Sequence, residues 1–192
     1  MSKVAVVYWS GTGNTEMMAQ KVAEGAKEAG AEVSVLTCAD FSADDVDAYD
    51  AIAFGCPAMG AEELEDTEFE PMFSACESKL SGKKIALFGS YGWGDGEWMR
   101  TWEESCKNDG AELVCDSVIC ADAPDDEAEG SMHCTWKSTL LSINKKEEKA
   151  AALLSGTAAF FFRTGRKTRC HLAVKIRYHP HRMAVTVLKE FR

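Results

Sequence analysis

Basic charge is nearly missing from the first two thirds of this 192-residue chain: residues 1–130 hold 8 Lys and Arg against 28 Asp and Glu. Such a face repels polyanions, so no nucleic-acid partner is expected there. No Cys-x-x-Cys occurs either. The eight cysteines (38, 56, 76, 106, 115, 120, 134 and 170) are scattered, mostly in apolar runs or on the inner side of a helical pattern. That distribution argues against a disulfide framework or a metal site, and for buried thiols in a reducing cytoplasm. Met1-Ser2-Lys3-Val4 leads straight into an apolar strand, so no signal peptide is expected. No apolar run is long enough to span a bilayer: the longest candidate, 150–162, is broken by Ser155-Gly156-Thr157.

The balance reverses after residue 130. Residues 131–192 carry 3 acidic and 13 basic side chains together with all four histidines (133, 171, 179 and 181). Two such compositions are unlike one continuous design. The expected organisation is an acidic domain, 1–129, followed by an atypical basic extension, 130–192.

The acidic region alternates between two periodicities. Apolar strands are expected at 3–9, 32–37, 51–55, 84–89 and 112–120. Helical patterns fall at about 14–29, where Met18, Val22, Ala26 and Ala29 recur, and at 69–80 and 97–108. A short helix opens at Ser42-Ala43-Asp44-Asp45. Alternating β and α with continuously apolar strands predicts a doubly wound parallel sheet with helices on both faces. Ligands in such sheets sit beyond the carboxyl ends of the strands, where the strand order reverses.

Three loops occupy that edge. The first, Ser10-Gly11-Thr12-Gly13-Asn14-Thr15, lies between a strand and a helix N-terminus, where backbone N–H groups and the positive helix end converge on an anion. It lacks the Gly-Lys-Ser/Thr of a nucleoside-triphosphate loop, and Glu16 stands where a dinucleotide fingerprint needs its third glycine. A monophosphate held by the hydroxyls of Ser10, Thr12 and Thr15 and by local N–H groups remains. Alone, the hexapeptide would serve equally as a turn that caps a helix. The second loop, Cys56-Pro57-Ala58-Met59-Gly60-Ala61-Glu62, and the third, Ser90-Tyr91-Gly92-Trp93-Gly94-Asp95-Gly96, each set large apolar side chains among glycines. Singly, Met59 could fill a gap and Trp93 could fold back on the domain. Beside a phosphate cradle, they favour a planar aromatic ligand enclosed on both faces.

Ser10-Gly-Thr-Gly-Asn-Thr-Glu16, Gly55-Cys-Pro-Ala-Met-Gly60, Glu68-Phe-Glu-Pro71 and Phe88-Gly-Ser-Tyr-Gly-Trp-Gly-Asp-Gly96 together resemble the short-chain flavodoxins of anaerobic bacteria, over residues 2 to about 129. The resemblance implies strand order 2-1-3-4-5 and bound FMN. It implies that Ser10, Gly11, Thr12, Gly13, Asn14 and Thr15 hold the phosphate. Ala58, Met59, Gly60, Ala61 and Glu62 would line one side of the ring, and Ser90, Tyr91, Gly92, Trp93 and Gly94 the other. Met59 would cover one face, Trp93 would stack on the other, and Glu62 would accept from the ring N3–H. Ala61 and Ala121-Asp122 depart from the family's usual residues.

The resemblance further implies a low-potential one-electron carrier without substrate turnover, a monomer that shuttles electrons between redox enzymes. In the family the peptide before or at the Gly of Met-Gly turns over on one-electron reduction and its carbonyl meets flavin N5–H, favouring the neutral semiquinone; Met59-Gly60 is that pair here. Gly60 tolerates the turned backbone. The acids Glu62, Glu63, Glu65, Asp66, Glu68 and Glu70, with Asp95 and Glu97, would oppose the anionic fully reduced ring. One charge about 10 Å away at an effective dielectric of 20 contributes roughly 1.7 kcal/mol, or about 70 mV. The same charges should attract redox proteins with basic docking surfaces.

Two other functions share these residues. An FMN-dependent NAD(P)H:quinone reductase would need room over the ring, which Trp93 restricts. A flavin-holding regulatory module that binds nucleic acid would rest on 131–192 alone. Within that tail, 145–154 has helical character, 172–191 offers short apolar runs, and His179-Pro180-His181 lacks a third metal ligand. The last helix of the fold is expected after Glu129. Read one base later, codons for Met132-His133 force Cys and those for Trp136-Lys137 force Gly, reproducing the family's Cys-x-x-x-Gly-Lys. Residues 130–192 are on this hypothesis a frameshifted product, and resequencing across codon 130 decides it.

Overall fold

The computed structural model describes residues 2–125 together with Gly130 and Lys137. The expected last helix, the segments 145–154 and 172–191, the 179–181 motif and the proposed junction at 129/130 lie outside these residues, apart from Gly130 and Lys137 themselves.

Five parallel strands form the sheet in the order β2 (Glu32–Thr37), β1 (Lys3–Tyr8), β3 (Ala51–Gly55), β4 (Lys84–Tyr91), β5 (Glu112–Leu113), and a sixth piece, β6 (Val118–Ala121), pairs with β4. The helices are α1 (Asn14–Glu28), α2 (Phe69–Glu77) and α3 (Glu97–Asn108). The expected order 2-1-3-4-5 is therefore present. β2, β3 and α3 have the expected bounds.

Elsewhere the structure amends the expectations. The strand expected at 112–120 is split. Lys84 faces Glu112 and Ile85 faces Leu113, but Phe88 faces Val118. Four residues, 114–117, thus lie opposite two residues of β4, and this local excess breaks the pairing into two strands. β4 runs on to Tyr91 because Ser90 and Tyr91 find partners in Cys120 and Ala121. β1 ends at Tyr8, although Trp9 still donates from its N–H to the Gly55 carbonyl at 3.0 Å. α1 ends at Glu28 with Ala29 as its C-cap, and α2 stops at Glu77. After α2, Lys79 and Leu80 bond back only three residues, a tightened last turn that still buries Leu80 completely. The helix opening at Ser42 is a 3₁₀ segment, Ala43–Ala48, with a reciprocal capping box between Ser42 and Asp45.

The two faces of the sheet are packed differently. On the α1 side, Val4, Val6, Ala53 and Ala86 meet Met18, Ala19, Val22, Ala23 and Ala26. The many alanines there let a helix lie close to the strands. On the other side, Ala5, Val7, Ile52, Phe54, Ile85 and Leu87 lie under Phe69, Phe73, Trp98 and Trp102. Phe73 is at the centre of this layer. It makes edge contacts with Phe54 at 5.2 Å and with Trp102 at 5.4 Å between ring centroids, and it stacks on Phe69 at 6.2 Å. Rings held from three directions cannot collapse into a void. Phe73→Ala should therefore lower stability by about 3–5 kcal/mol in equilibrium chemical denaturation; a loss below about 1 kcal/mol would show that this layer repacks.

Candidate functional site

A parallel sheet ends with every strand's carboxyl terminus on one edge, and each following helix starts there with N–H groups that have no partner inside the helix. Three such starts lie at this edge among the described residues. Their capping residues are Gly13, Glu68 and Gly96, and none of the three caps with its own side chain. The acceptors must come from elsewhere.

For α2 the acceptor is Glu65. It is 4% exposed, and its carboxylate receives the Thr67 hydroxyl and the N–H groups of Thr67 (3.0 Å), Glu68 (2.9 Å) and Phe69 (2.8 Å). Burial pushes its pKa up, but these hydrogen bonds outweigh burial and hold the carboxyl below the ordinary value of 4.5. For α3 the acceptor is Glu62. Its Oε1 receives the N–H groups of Asp95 (3.1 Å), Gly96 (2.8 Å) and Glu97 (3.0 Å).

The start of α1 differs. Gly13 donates to Ser10 Oγ at 3.0 Å, which closes the loop. Thr12, Asn14, Thr15 and Glu16 donate no backbone hydrogen bond within the described residues. Four open N–H groups and a positive helix end make this, among the described residues, the helix start at the edge able to hold an anion. The loop is braced from below. Trp9 Nε1 donates to Glu68 at 2.9 Å, and the Trp9 ring lies so near Gly11 that a Cβ there would fall 2.9 Å from it.

A cleft of about 320 Å³ extends from this loop. Gly11, Thr12 and Asn14 line one end, Ala58 and Met59 one side, and Ser90, Tyr91 and Gly92 the other, with Trp9, Pro57 and Asp122 completing it. Two bonds fix its sides: Ala58 N–H to the Ser90 carbonyl at 2.9 Å and Asp122 N–H to the Tyr91 carbonyl at 2.8 Å. The cleft thus has an apolar body and an anion site at one end. That combination suits a flat ligand with a phosphate arm, and FMN fits the donor set.

The remaining expected site residues are placed as follows. Ser10 and Gly13 form the closing bond of the cradle without lining the cleft. Thr15 is buried with its hydroxyl 3.1 Å from Ser90 Oγ, a bond that ties α1 to β4 and leaves the hydroxyl a further bonding position beside the open N–H group. Met59 and Trp93 are 40% and 65% exposed. Met59 borders the cleft, whereas Trp93 stands outside it on the adjoining loop. Gly60 has φ +49°, and the turn it makes is closed by reciprocal Met59–Glu63 bonds of 2.8 and 2.9 Å. Ala61 lies in this turn, and Gly94 faces the Glu62 side chain.

Trp9, Pro57 and Asp122 were not foreseen. For Asp122 a signal exists: it has φ +54° immediately after a strand, a conformation that Asp accepts more readily than most residues. Cys56 lies beneath the second loop, fully buried, where burial pushes the thiol pKa far up. It is a neutral wall, and no nucleophile is found there.

Comparison with known proteins points one way. The family model for flavodoxin matches residues 6–134. The chain is similar to a flavodoxin of Megasphaera elsdenii, 50% identical over 116 residues that cover 60% of this chain and 85% of that one. It is also similar to a flavodoxin of Clostridium beijerinckii, 48% identical over 121 residues, covering 63% and 88%. Among solved structures, the solution structure of two-electron reduced Megasphaera elsdenii flavodoxin aligns with a TM-score of 0.66 at 44% identity, over 71% of this chain and 98% of that one.

The buried cap at α2 yields a test of its own. A carboxyl held below its ordinary pKa stabilises the fold fully above about pH 4.5, and the contribution disappears as pH falls through the folded-state pKa. Glu65→Ala should cost about 2 kcal/mol at pH 7. The gap to the unaltered protein should shrink as pH falls below about 4.5, measured by denaturation at several pH values. A gap independent of pH would mean that the charge does not cap α2.

Proposed function

The chain belongs to the flavodoxin family, and from that premise we propose that the cleft at the carboxyl edge of its sheet is where FMN is held. As a flavodoxin the protein is an FMN-binding electron carrier that exchanges electrons with redox partner proteins. It is not a substrate-turnover enzyme, and the quinone-reductase and nucleic-acid-module readings are not favoured beside its relatives.

The observation that carries the site assignment is the contrast between three helix starts on one edge, two already occupied by carboxylates and one open. On this reading the N–H groups of Thr12, Asn14 and Thr15, with the hydroxyls of Ser10, Thr12 and Thr15, bind the phosphate. Gly11 and Gly13 let the backbone close around it. Ala58, Met59, Gly60 and Ala61 form one side of the ring site, with Met59 on one face. Ser90, Tyr91, Gly92, Trp93 and Gly94 form the other, and the exposed Trp93 ring stacks on the outer face. FMN supplies the one-electron chemistry; the protein binds, orients and tunes it.

Tuning falls to two groups. Gly60, already at φ +49°, lets a peptide of this turn present its carbonyl to the ring edge; the Met59 carbonyl already accepts from Glu63 N–H at 2.9 Å, so the carbonyl of Gly60 itself is the one assigned that role. The acids around the cleft act by charge. Glu62, Glu65 and Glu68 are fixed in place by hydrogen bonds, so their field does not relax away as that of mobile surface charges would. They disfavour added negative charge on the ring and draw in basic docking surfaces of partners. The protein is further read as a cytoplasmic monomer; the six described cysteines at 38, 56, 76, 106, 115 and 120 are free thiols, the state a reducing compartment keeps. No helix among the described residues is long and apolar enough to cross a membrane.

Two measurements test this reading. Trp93→Ala should weaken FMN binding by about 1–3 kcal/mol, a factor of roughly 5 to 150, in a flavin-fluorescence titration; unchanged affinity removes Trp93 from the site. Gly60→Ala should narrow the gap between the two one-electron reduction potentials by spectroelectrochemistry, and an unaltered gap removes the role of the Met59–Gly60 turn.

A further inference from the structure

Glu62 joins the two loops that bear Met59 and Trp93. Three features of the structure find a common cause in that bond. First, Glu62 has φ +58°, a left-handed backbone uncommon for a residue with a Cβ. The reciprocal Met59–Glu63 bonds on either side hold it there. Second, α3 begins at Gly96, which has no side chain to cap it, yet the N–H groups of Asp95, Gly96 and Glu97 all converge on Glu62 Oε1 at 2.8–3.1 Å. Third, the space through which the Glu62 side chain passes exists because residue 94 is glycine. A Cβ at Gly94 would fall 2.4 Å from Glu62 Cδ and 2.5 Å from its Oε1.

We propose that Glu62 is a positioning residue, a strap across the sheet edge that sets the Trp93 loop relative to the Met59 turn before the flavin enters. The inference rests on the cleft being the FMN site. Its physical content is preorganisation. A loop already tied to its neighbour loses less conformational freedom when the ring is enclosed, and three charge-assisted bonds to one oxygen are a strong tie. With Oε1 committed to α3, only Oε2 is left to accept from the ring N3–H, so any direct contact with the flavin is additional to the strap. Glu62 then acts on FMN chiefly through Trp93.

The test uses the full chain, with and without FMN, in four forms: unaltered, Glu62→Ala, Glu62→Gln and Trp93→Ala, plus the Glu62→Ala/Trp93→Ala double variant. Amide hydrogen exchange reads the strap without reference to flavin. In Glu62→Ala the amides of Asp95, Gly96 and Glu97 should exchange at least about tenfold faster, and Glu62→Gln, which keeps the length and the carbonyl acceptor, should restore most of the protection. Unchanged exchange in Glu62→Ala overturns the proposal. FMN titration reads the consequence. Glu62→Ala should weaken binding roughly tenfold in the presence of Trp93 and by less than about twofold in its absence. Fully additive losses overturn the proposal, because Glu62 would then act on the flavin directly. A Trp93→Ala variant with unaltered affinity would instead strike at the site assignment, while the exchange result would still decide whether the strap exists.

Discussion

Backbone N–H groups at a helix start must be satisfied, and at the carboxyl edge of this sheet three sets of them face the same space. The chain meets the demand in two ways. The α2 and α3 starts are satisfied from within, by Glu65 and Glu62, whose carboxylates reach them from the loop that follows β3. The α1 start is closed by a single bond from Gly13 to Ser10 Oγ and otherwise left open. Among the described residues, an anion that approaches this edge therefore finds one electropositive helix end, with the other two already neutralised. On the proposed reading, the location of the phosphate site follows from which helices were capped.

The acidic loop changes meaning in this light. Six acids between residues 62 and 70 resemble a solvated face that acts only through its summed field. In the structure, half of them are bonded: Glu62 to α3, Glu65 to α2, and Glu68 to the Trp9 ring that supports Gly11. The same side chains thus provide structure and charge, and a substitution at any of them changes both. An electrostatic effect on the cofactor cannot be separated from a shift of the loops by removing the side chain. Isosteric amide variants separate them better, since they retain the acceptor and remove the charge.

Most of the architecture was legible because its signals are local. The strands at 32–37 and 51–55 are short apolar runs bounded by turn residues, and α3 runs over the expected 97–108 because Trp98, Trp102 and Cys106 mark one buried stripe. What escaped was set by distant partners. The break in the last strand comes from its register against β4, where 114–117 oppose two residues, and nothing within 112–120 announces it. The cap at α3 pairs residues 33 to 35 positions apart, so no spacing rule could detect it.

Leaving one helix start open has an electrostatic consequence for a carrier of this family. A cation in the cradle would bind phosphate more tightly, but it would also place a positive charge within reach of the ring and ease the accumulation of negative charge there. Backbone N–H groups bind the phosphate through short-range dipoles, which fall off faster with distance than a full charge. On the proposed site assignment, the hydrogen-bonded carboxylates of Glu62 and Glu65 would add fixed negative charge near the ring, and nothing basic in the first loop offsets it. The uncharged cradle and the carboxylate caps would then be complementary parts of one arrangement: the first secures the cofactor without favouring its reduced form, and the second disfavours that form while holding the loops in place.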